Sequence, residues 1–367
     1  MKALLVDVLK DPEQCPKLTL ADWDVLIPQG RVTGLLGTLC LMLEARDLLA
    51  SVPAAVRRHL ESALCTHRKQ SENLEYELMW LQRAMAEMGE KLILLKGAAY
   101  IVGELPAGAG RLISDIDLLV PEKNVPRAEQ TLREYGWESA EDDPYNDRYY
   151  RKWMHEIPPM AHVERDSVLD VHHTILPPTA DEKLSPEKLF EQLEELVPGV
   201  FALSPLDMVL HSATHLFHEG EFLHGLRDLL DLDRLLRHFS AADDRFWNDL
   251  VARATEMDML TSLFLALRYS RMFFETPVPA AVEAEVESRL PRFPGVAFFD
   301  FLFVRAFLPD HASCVLAFTP FARFCLYVRS HYLRMPLYLL LPHLLRKAWV
   351  GRFGRPVTHD EAAGGEG

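Results

Sequence analysis

Cysteine is scarce and scattered: Cys15, Cys40, Cys65, Cys314 and Cys325 are all there are, with no C-x-x-C spacing. That pattern excludes a cysteine-built zinc ribbon and argues against a disulfide framework. Long apolar runs are also lacking. The run Pro336–Leu345 (PLYLLLPHLL) is broken by proline and reaches only about half the length of a membrane-spanning helix. The opening MKALLVDVLK holds too short an apolar stretch, interrupted by charge, for a signal peptide, so the expected compartment is a reducing cytoplasm. Basic charge is short too. With 39 Lys and Arg against 54 Asp and Glu the formal charge is −15, which argues against a protein that coats nucleic acid. No internal repeat is visible. What is present is a globular composition, 49% hydrophobic and 25% charged, over 367 residues, enough for two domains.

The informative stretch runs from Lys91 to Val120, KLILLKGAAYIVGELPAGAGRLISDIDLLV. Ile93–Leu95 reads as a strand ending at Lys96-Gly97, and Ala98–Glu104 as a short helix. Pro106, Gly108 and Gly110 break that helix. Ile113–Val120 then reads as a buried strand, stopped by Pro121. Residues two apart in a strand share a face, so Asp115 and Asp117 project together while Ile116 and Leu118 enter a core. Two neighbouring carboxylates on an apolar strand are costly unless a cation lies between them. A divalent metal is the simplest such cation, and magnesium prefers hard oxygen donors. Gly97 allows close approach of backbone to a ligand, the following amides face an anion, and Lys96 adds a point charge. The bland alternative is that Gly97 merely ends a strand and the aspartates cap a loop.

These residues carry a resemblance. A glycine turn after a strand, followed by the alternation of apolar residues with Asp115 and Asp117, resembles the polymerase-beta-type nucleotidyltransferase superfamily. More narrowly, LLKGAAY followed by SDIDLLV resembles the bacterial uncharacterised nucleotidyltransferase family. It is also similar to nucleotidyltransferase toxins of abortive-infection systems, which carry a Lys-Gly-Gly form of the turn. The resemblance implies two Mg²⁺ ions, or Mn²⁺, held by Asp115, Asp117 and a third carboxylate on a neighbouring strand. Asp170, in the strand-like Ser167–Ile175 (SVLDVHHTI), is the candidate, with Glu164 as fallback. His172 shares a face with Asp170 and either contacts the nucleotide or acceptor, or is hydrogen-bonded within the sheet. His173 points the other way. Lys96, Gly97, Ala98, Arg111 and Ser114 would seat the triphosphate of ATP or another NTP.

The remainder reads as mostly helical. Residues 1–90 form an N-terminal helical cap, with helices over Asp22–Ala50, near Pro53–Ala63 and over Glu72–Glu90. Within the core of residues 91–200, Pro121–Tyr135 reads as a helix and Trp137–Asp147 as an exposed acidic loop. Tyr149–Ile157 and Met160–Glu164 read as short strands. A helical domain follows over 201–292. His211, His215 and His218 have helical spacing that could bind a metal, though stacked core histidines explain it as well. Phe222–His238 contains GLRDLLDLDRLLRH, a pattern similar to the family's helical domain. There Arg227 and Asp231 either line the nucleotide cleft or form a salt bridge. Residues 293–357 are apolar, aromatic and locally basic (Arg323, Arg329, Arg334, Arg346, Lys347, Arg352 and Arg355). They read as a helical subdomain, with weak contact to a membrane surface as the alternative. The tail, 358–367, reads as disordered.

The expected fold is therefore α+β: a small mixed β-sheet nucleotidyltransferase core flanked by N-terminal helices and a C-terminal helical domain. The expected chemistry is metal-dependent transfer of an NMP from an NTP to an acceptor hydroxyl. The acceptor stays open among a protein, a tRNA, a sugar and a small molecule. Two departures from the superfamily pattern keep a second reading alive. Ala98 stands where Gly or Ser is usual, and the interval from Gly97 to Asp115 is long. A non-catalytic nucleotide- or partner-binding module of the same fold, membrane-peripheral in one version, would show both.

Overall fold

The computed structural model describes residues 3–141, 143–290 and 295–334. Seven strands form one mixed sheet in the order β3-β4-β5-β2-β1-β7-β6. They are β1 (Leu92–Leu94), β2 (Ile116–Leu119), β3 (Trp137–Ser139), β4 (Met160–His162), β5 (Val168–His172), β6 (Leu193–Val197) and β7 (Val200–Leu203). The centre of the sheet is β1 and β2, antiparallel to each other, with β7 parallel to β1 and β5 parallel to β2. All residues of β1 and β2 are buried; β1 is wholly apolar, and in β2 only Asp117 is not.

Helices cover the sheet before and after. The N-terminal set is α1 (Leu4–Lys10), α2 (Leu20–Thr33), α3 (Leu36–Glu44) and α4 (Ala54–Met88). Within the sheet region lie α5 (Lys96–Val102), α6 (Val125–Glu134) and α7 (Pro144–Trp153). After β7 come α8 (Pro205–His218), α9 (Gly225–Ala242), α10 (Phe246–Glu256), α11 (Leu260–Phe274), α12 (Ala280–Arg289), α13 (Val296–Phe307) and α14 (Thr319–Arg334).

Several boundaries differ from the sequence reading, each for a local reason. The two helices expected at Pro53–Ala63 and Glu72–Glu90 are one 35-residue helix, α4, because the polar stretch between them holds no breaker. Conversely, Asp22–Ala50 divides into α2 and α3 at Gly34, which takes a left-handed φ of 72°. The strand of the paired aspartates is shorter than Ile113–Val120, so Asp115 sits in the bend just before β2. Tyr149–Ile157 is not a strand: α7 runs to Trp153, started by Asp143, whose side chain accepts from the Tyr145 amide, and by Pro144 in its first turn. Trp137–Asp147 is not a loop throughout, since Trp137 is fully buried in β3. The β6–β7 hairpin, turned at Gly199 with φ 80°, had no counterpart in the sequence reading.

The helices after β7 pack through aromatic rings. Phe217 of α8 and Tyr269 of α11 meet Phe303 and Phe307 of α13 at centroid separations of 5.1–5.9 Å. Three of the arginines expected on a basic face are engaged by neighbouring groups of the chain. Arg323 pairs with Asp310, Arg334 with Glu219, and Arg329 donates to the Phe217 carbonyl. Pro336–Leu345, Arg346, Lys347, Arg352, Arg355 and the tail lie outside the described residues. Among the described residues no single helix is long and apolar enough to cross a membrane.

Candidate active site

The turn out of β1 sets the geometry. Leu95 is extended, and Lys96 then takes a left-handed φ of 46°. A non-glycine residue there stores on the order of 1–3 kcal/mol, a strain that clusters at functional sites. The Lys96 ammonium reaches Asp117 Oδ1 at 2.8 Å. Burial opposes the ammonium's charge, but the charge and hydrogen bond of Asp117, then Glu156 and Asp115, outweigh it and raise its pKa. Asp117 is 5% exposed, and Lys96 and His172 together hold its carboxyl well below the usual range against the cost of burial. His172 Nε2 lies 2.8 Å from the same oxygen, Asp117 Oδ1.

Strand register supplies the third carboxylate. Asp117 and Asp170 are direct partners across the parallel β2–β5 pair, and Leu119 pairs with His172. Asp117, Asp170 and His172 therefore face the same side of the sheet. Asp170 Oδ1 is buried without a hydrogen-bond partner among the described residues. Its pKa is pushed up to about 7, first by burial and then by the charges of Glu156, Asp117 and Asp115. Glu164, the fallback, is exposed in the turn between β4 and β5, its amide donating to His162 Nδ1.

The opposite wall comes from the glycine-rich loop and α9. Arg111 Nε donates to Asp231 Oδ2 at 2.7 Å, with Asp228 3.6 Å from its Nη2. Burial disfavours this guanidinium, but Asp231 and Asp228 keep it charged. A Cβ on Gly97 would lie 2.1 Å from Arg111 Nη1 and 2.9 Å from Ile113 Cγ2, so only glycine allows this approach. Arg227 is bound to its neighbour Asp228 at 2.9 Å. Ser114 Oγ donates to Asp115 Oδ1 at 3.0 Å.

Lys96, Gly97, Arg111, Ser114, Asp115, Asp117, Arg227 and Asp231 line one cleft. Ala98, Asp170 and His172 do not line it: Ala98 is buried in α5, and the other two flank Asp117 on β5. The structure also brings in residues not expected at the nucleotide. Tyr100, Ser212, His215 and Asp228 line the same cleft. Glu156 lies 3.4 Å from His172 Nδ1. No spacing rule links Glu156 to the aspartates, because an isolated β-bridge to His172 places it. His211, His215 and His218 do not converge on a metal site among the described residues. Rings of the first two meet edge to face, and His218 is bound to the Thr214 carbonyl and Glu182.

The donor set of Asp115, Asp117 and Asp170 is all oxygen. Acid exceeds base around it, and one buried carboxylate oxygen lacks a partner. That chemistry fits a hard divalent cation such as Mg²⁺. No curated protein and no solved structure matches the chain. The profile of an uncharacterised nucleotidyltransferase family matches residues 19–275, well over half of the chain and the whole of this cleft. With its strand–turn–helix and its paired aspartates inside that span, the chain belongs to the uncharacterised nucleotidyltransferase family.

Proposed function

We propose that this cleft transfers a nucleotidyl group from an NTP to an acceptor hydroxyl, using Asp115, Asp117 and Asp170 to hold divalent cations. One observation carries the reading: Asp117 and Asp170 stand opposite each other in register on neighbouring strands, with Asp115 just before the first. The cleft's own cations are already committed, Lys96 to Asp117, Arg111 to Asp231 and Arg227 to Asp228. A triphosphate entering it therefore needs added positive charge. Mg²⁺ or Mn²⁺ bound there would neutralise the phosphates and lower the pKa of the attacking hydroxyl.

The chain's own residues do the positioning. The central strands fix the spacing of the carboxylates, and a packed sheet tolerates little drift. Lys96 sits beside Asp117, where it can exchange its carboxylate for a phosphate oxygen. Gly97 leaves room for the Arg111 guanidinium to lie across the turn that would seat the triphosphate. The acceptor hydroxyl gives its proton to solvent, its oxygen bonds to the α-phosphorus as the bond to the β-phosphate bridge breaks, and pyrophosphate leaves. Positioning and charge neutralisation account for most of the rate in such transfers. The acceptor class stays open among a protein, a tRNA, a sugar and a small molecule.

The test is incubation of the full chain with each α-labelled NTP, Mg²⁺ or Mn²⁺ and a cell lysate. Label should pass to an acceptor, and Asp117→Asn should reduce that transfer by about 10²-fold or more while the circular dichroism stays unchanged. Equal labelling by wild type and D117N would overturn the assignment.

A second reading rests on one feature. Asp117 Oδ1 already holds both Lys96 and His172, a network complete without any ligand. A nucleotide-binding module without catalysis would look the same. Calorimetric titration with four NTPs separates the two, since metal-dependent binding without pyrophosphate release marks the module.

A further inference from the structure

Beside β5 the chain forms a second cluster that nucleotidyl transfer does not use. After α7, residues 155–157 run antiparallel to the end of β5. The Ile157 amide donates to the Val171 carbonyl at 3.0 Å and the His173 amide to the His155 carbonyl at 2.9 Å. Glu156 and His172 are bridge partners, so their side chains stand together on one face. His155, Glu156 and His172 each present a ligand atom within 4.8 Å of the others. The two imidazole rings are 5.2 Å apart between centroids.

His172 shows what the cluster lacks. It is 1% exposed, and its Nε2 donates to Asp117 Oδ1 at 2.8 Å. With Nε2 turned to Asp117, Nδ1 is the ring atom left to take a ligand. That nitrogen is buried, makes no hydrogen bond, and faces Glu156 Oε2 at 3.4 Å. A carboxylate oxygen and an imidazole nitrogen this close, on one face, are a pair that a shared cation would join. His155 Nδ1 is likewise buried without a hydrogen bond.

We infer that His155, Glu156 and His172 form a transition-metal site of the zinc class, adjoining the aspartate cluster but distinct from it. Two imidazole nitrogens and one carboxylate oxygen suit Zn²⁺ or Co²⁺, whereas the all-oxygen aspartates suit Mg²⁺. Asp117 then plays the outer carboxylate to a ligating histidine, an arrangement that fixes both tautomer and ring orientation. The metal holds His172 against Asp117 and so stiffens the nucleotide cleft from behind. The inference does not depend on nucleotidyl transfer, because the donors are the same whatever the cleft binds.

The test uses the full chain, stripped with a chelator, dialysed and titrated with Co²⁺ and Zn²⁺ in millimolar Mg²⁺. One Co²⁺ per chain should bind with strong visible d–d bands, the mark of a low-coordinate site with nitrogen ligands. His155→Gln and Glu156→Gln should each weaken Zn²⁺ binding by about 10-fold or more, while Asp115→Asn leaves the Co²⁺ spectrum intact. Near-UV circular dichroism in chelator checks that both glutamine variants keep the fold. Three results overturn the site. One is a wild type that takes up no Co²⁺, as an imidazolium donating to both carboxylates would dictate. Its spectrum could show only the weak bands of an all-oxygen octahedral ion. Or Asp115→Asn could abolish binding that His155→Gln retains. None of these readouts involves a nucleotide, so failure here leaves the transfer assay untouched, and the reverse.

Discussion

Gly97 is the residue at which shape and charge in the cleft meet. Its missing side chain is what lets the Arg111 guanidinium lie across the turn, and Asp231 holds that guanidinium from the far side at 2.7 Å. A methyl group at 97 would have to displace Arg111, and Arg111 cannot move without leaving Asp231. Gly97→Ala should therefore cost about 1–3 kcal/mol in urea unfolding, as overpacking does. It should also weaken NTP binding, since the displaced guanidinium intrudes on the cleft. A variant as stable as wild type, within about 0.5 kcal/mol, would mean that Arg111 has room to yield. Lys96 is the strained neighbour. Its left-handed backbone puts the ammonium beside Asp117, so the strain lies where the chemistry is proposed.

Among the elements, α6 and α7 show how local signals compete. Glu129 of α6 receives Arg133 at 2.7 Å and both terminal nitrogens of Arg151 from α7 at 2.7 and 2.9 Å. Hydrogen bonds from Arg151, working against burial, hold the Glu129 pKa below its ordinary 4.5. A lowered folded-state pKa stabilises the protein above the unfolded value and stops doing so as pH falls through the folded one. Glu129→Gln should thus cost about 1 kcal/mol at pH 7, a charged hydrogen bond discounted for its partial exposure. The gap in melting temperature between wild type and E129Q should close as the pH drops below 4.5 toward 3. A gap independent of pH would assign the loss to packing instead.

The same helix explains what the sequence did and did not disclose. The strands β1, β2 and β5 are legible because their apolar runs have no other way to be buried, and the spacing of Asp115, Asp117 and Asp170 comes with them. Helix α7 is not, because Tyr149, Tyr150 and Trp153 favour strands, and only the cap at Asp143-Pro144 decides otherwise. The β6–β7 hairpin escapes notice because β6, at the sheet's edge, lacks a period-two pattern: Glu194 and Glu195 are both exposed, and the register shifts between Glu195 and Val197. In the site, Lys96, Asp115 and Asp117 announce themselves by local pattern. The pairing of Arg111 with Asp231 spans 120 residues, and that of His172 with Glu156 needs a bridge outside any strand, so neither leaves a trace in spacing.

For the whole molecule, the question is how a sheet and a set of helices come to share one cleft. Ion pairs remote in sequence make the joints. Arg253 of α10 grips Asp207 of α8 through two hydrogen bonds of 2.8 and 2.9 Å. Arg111, from the loop leading to β2, grips Asp231 of α9 in the cleft itself. Both members of that second pair are buried, at 8% and 4% exposure. Removing one partner from a buried pair strands the other charge, a loss of about 3–5 kcal/mol, whereas removing both leaves much less to compensate. Arg111→Gln should therefore destabilise strongly, with Asp228 and Asp231 left facing each other. Adding Asp231→Asn to it should recover more than half of the loss in urea unfolding, even though the cleft would then bind NTP poorly. The recovery is the informative number. If the two losses simply add, the pair is decoration on independently stable parts. If the second change repairs the first, the charge pair is the hinge pin that makes sheet and helices unfold as one body and keeps the cleft's two walls in register.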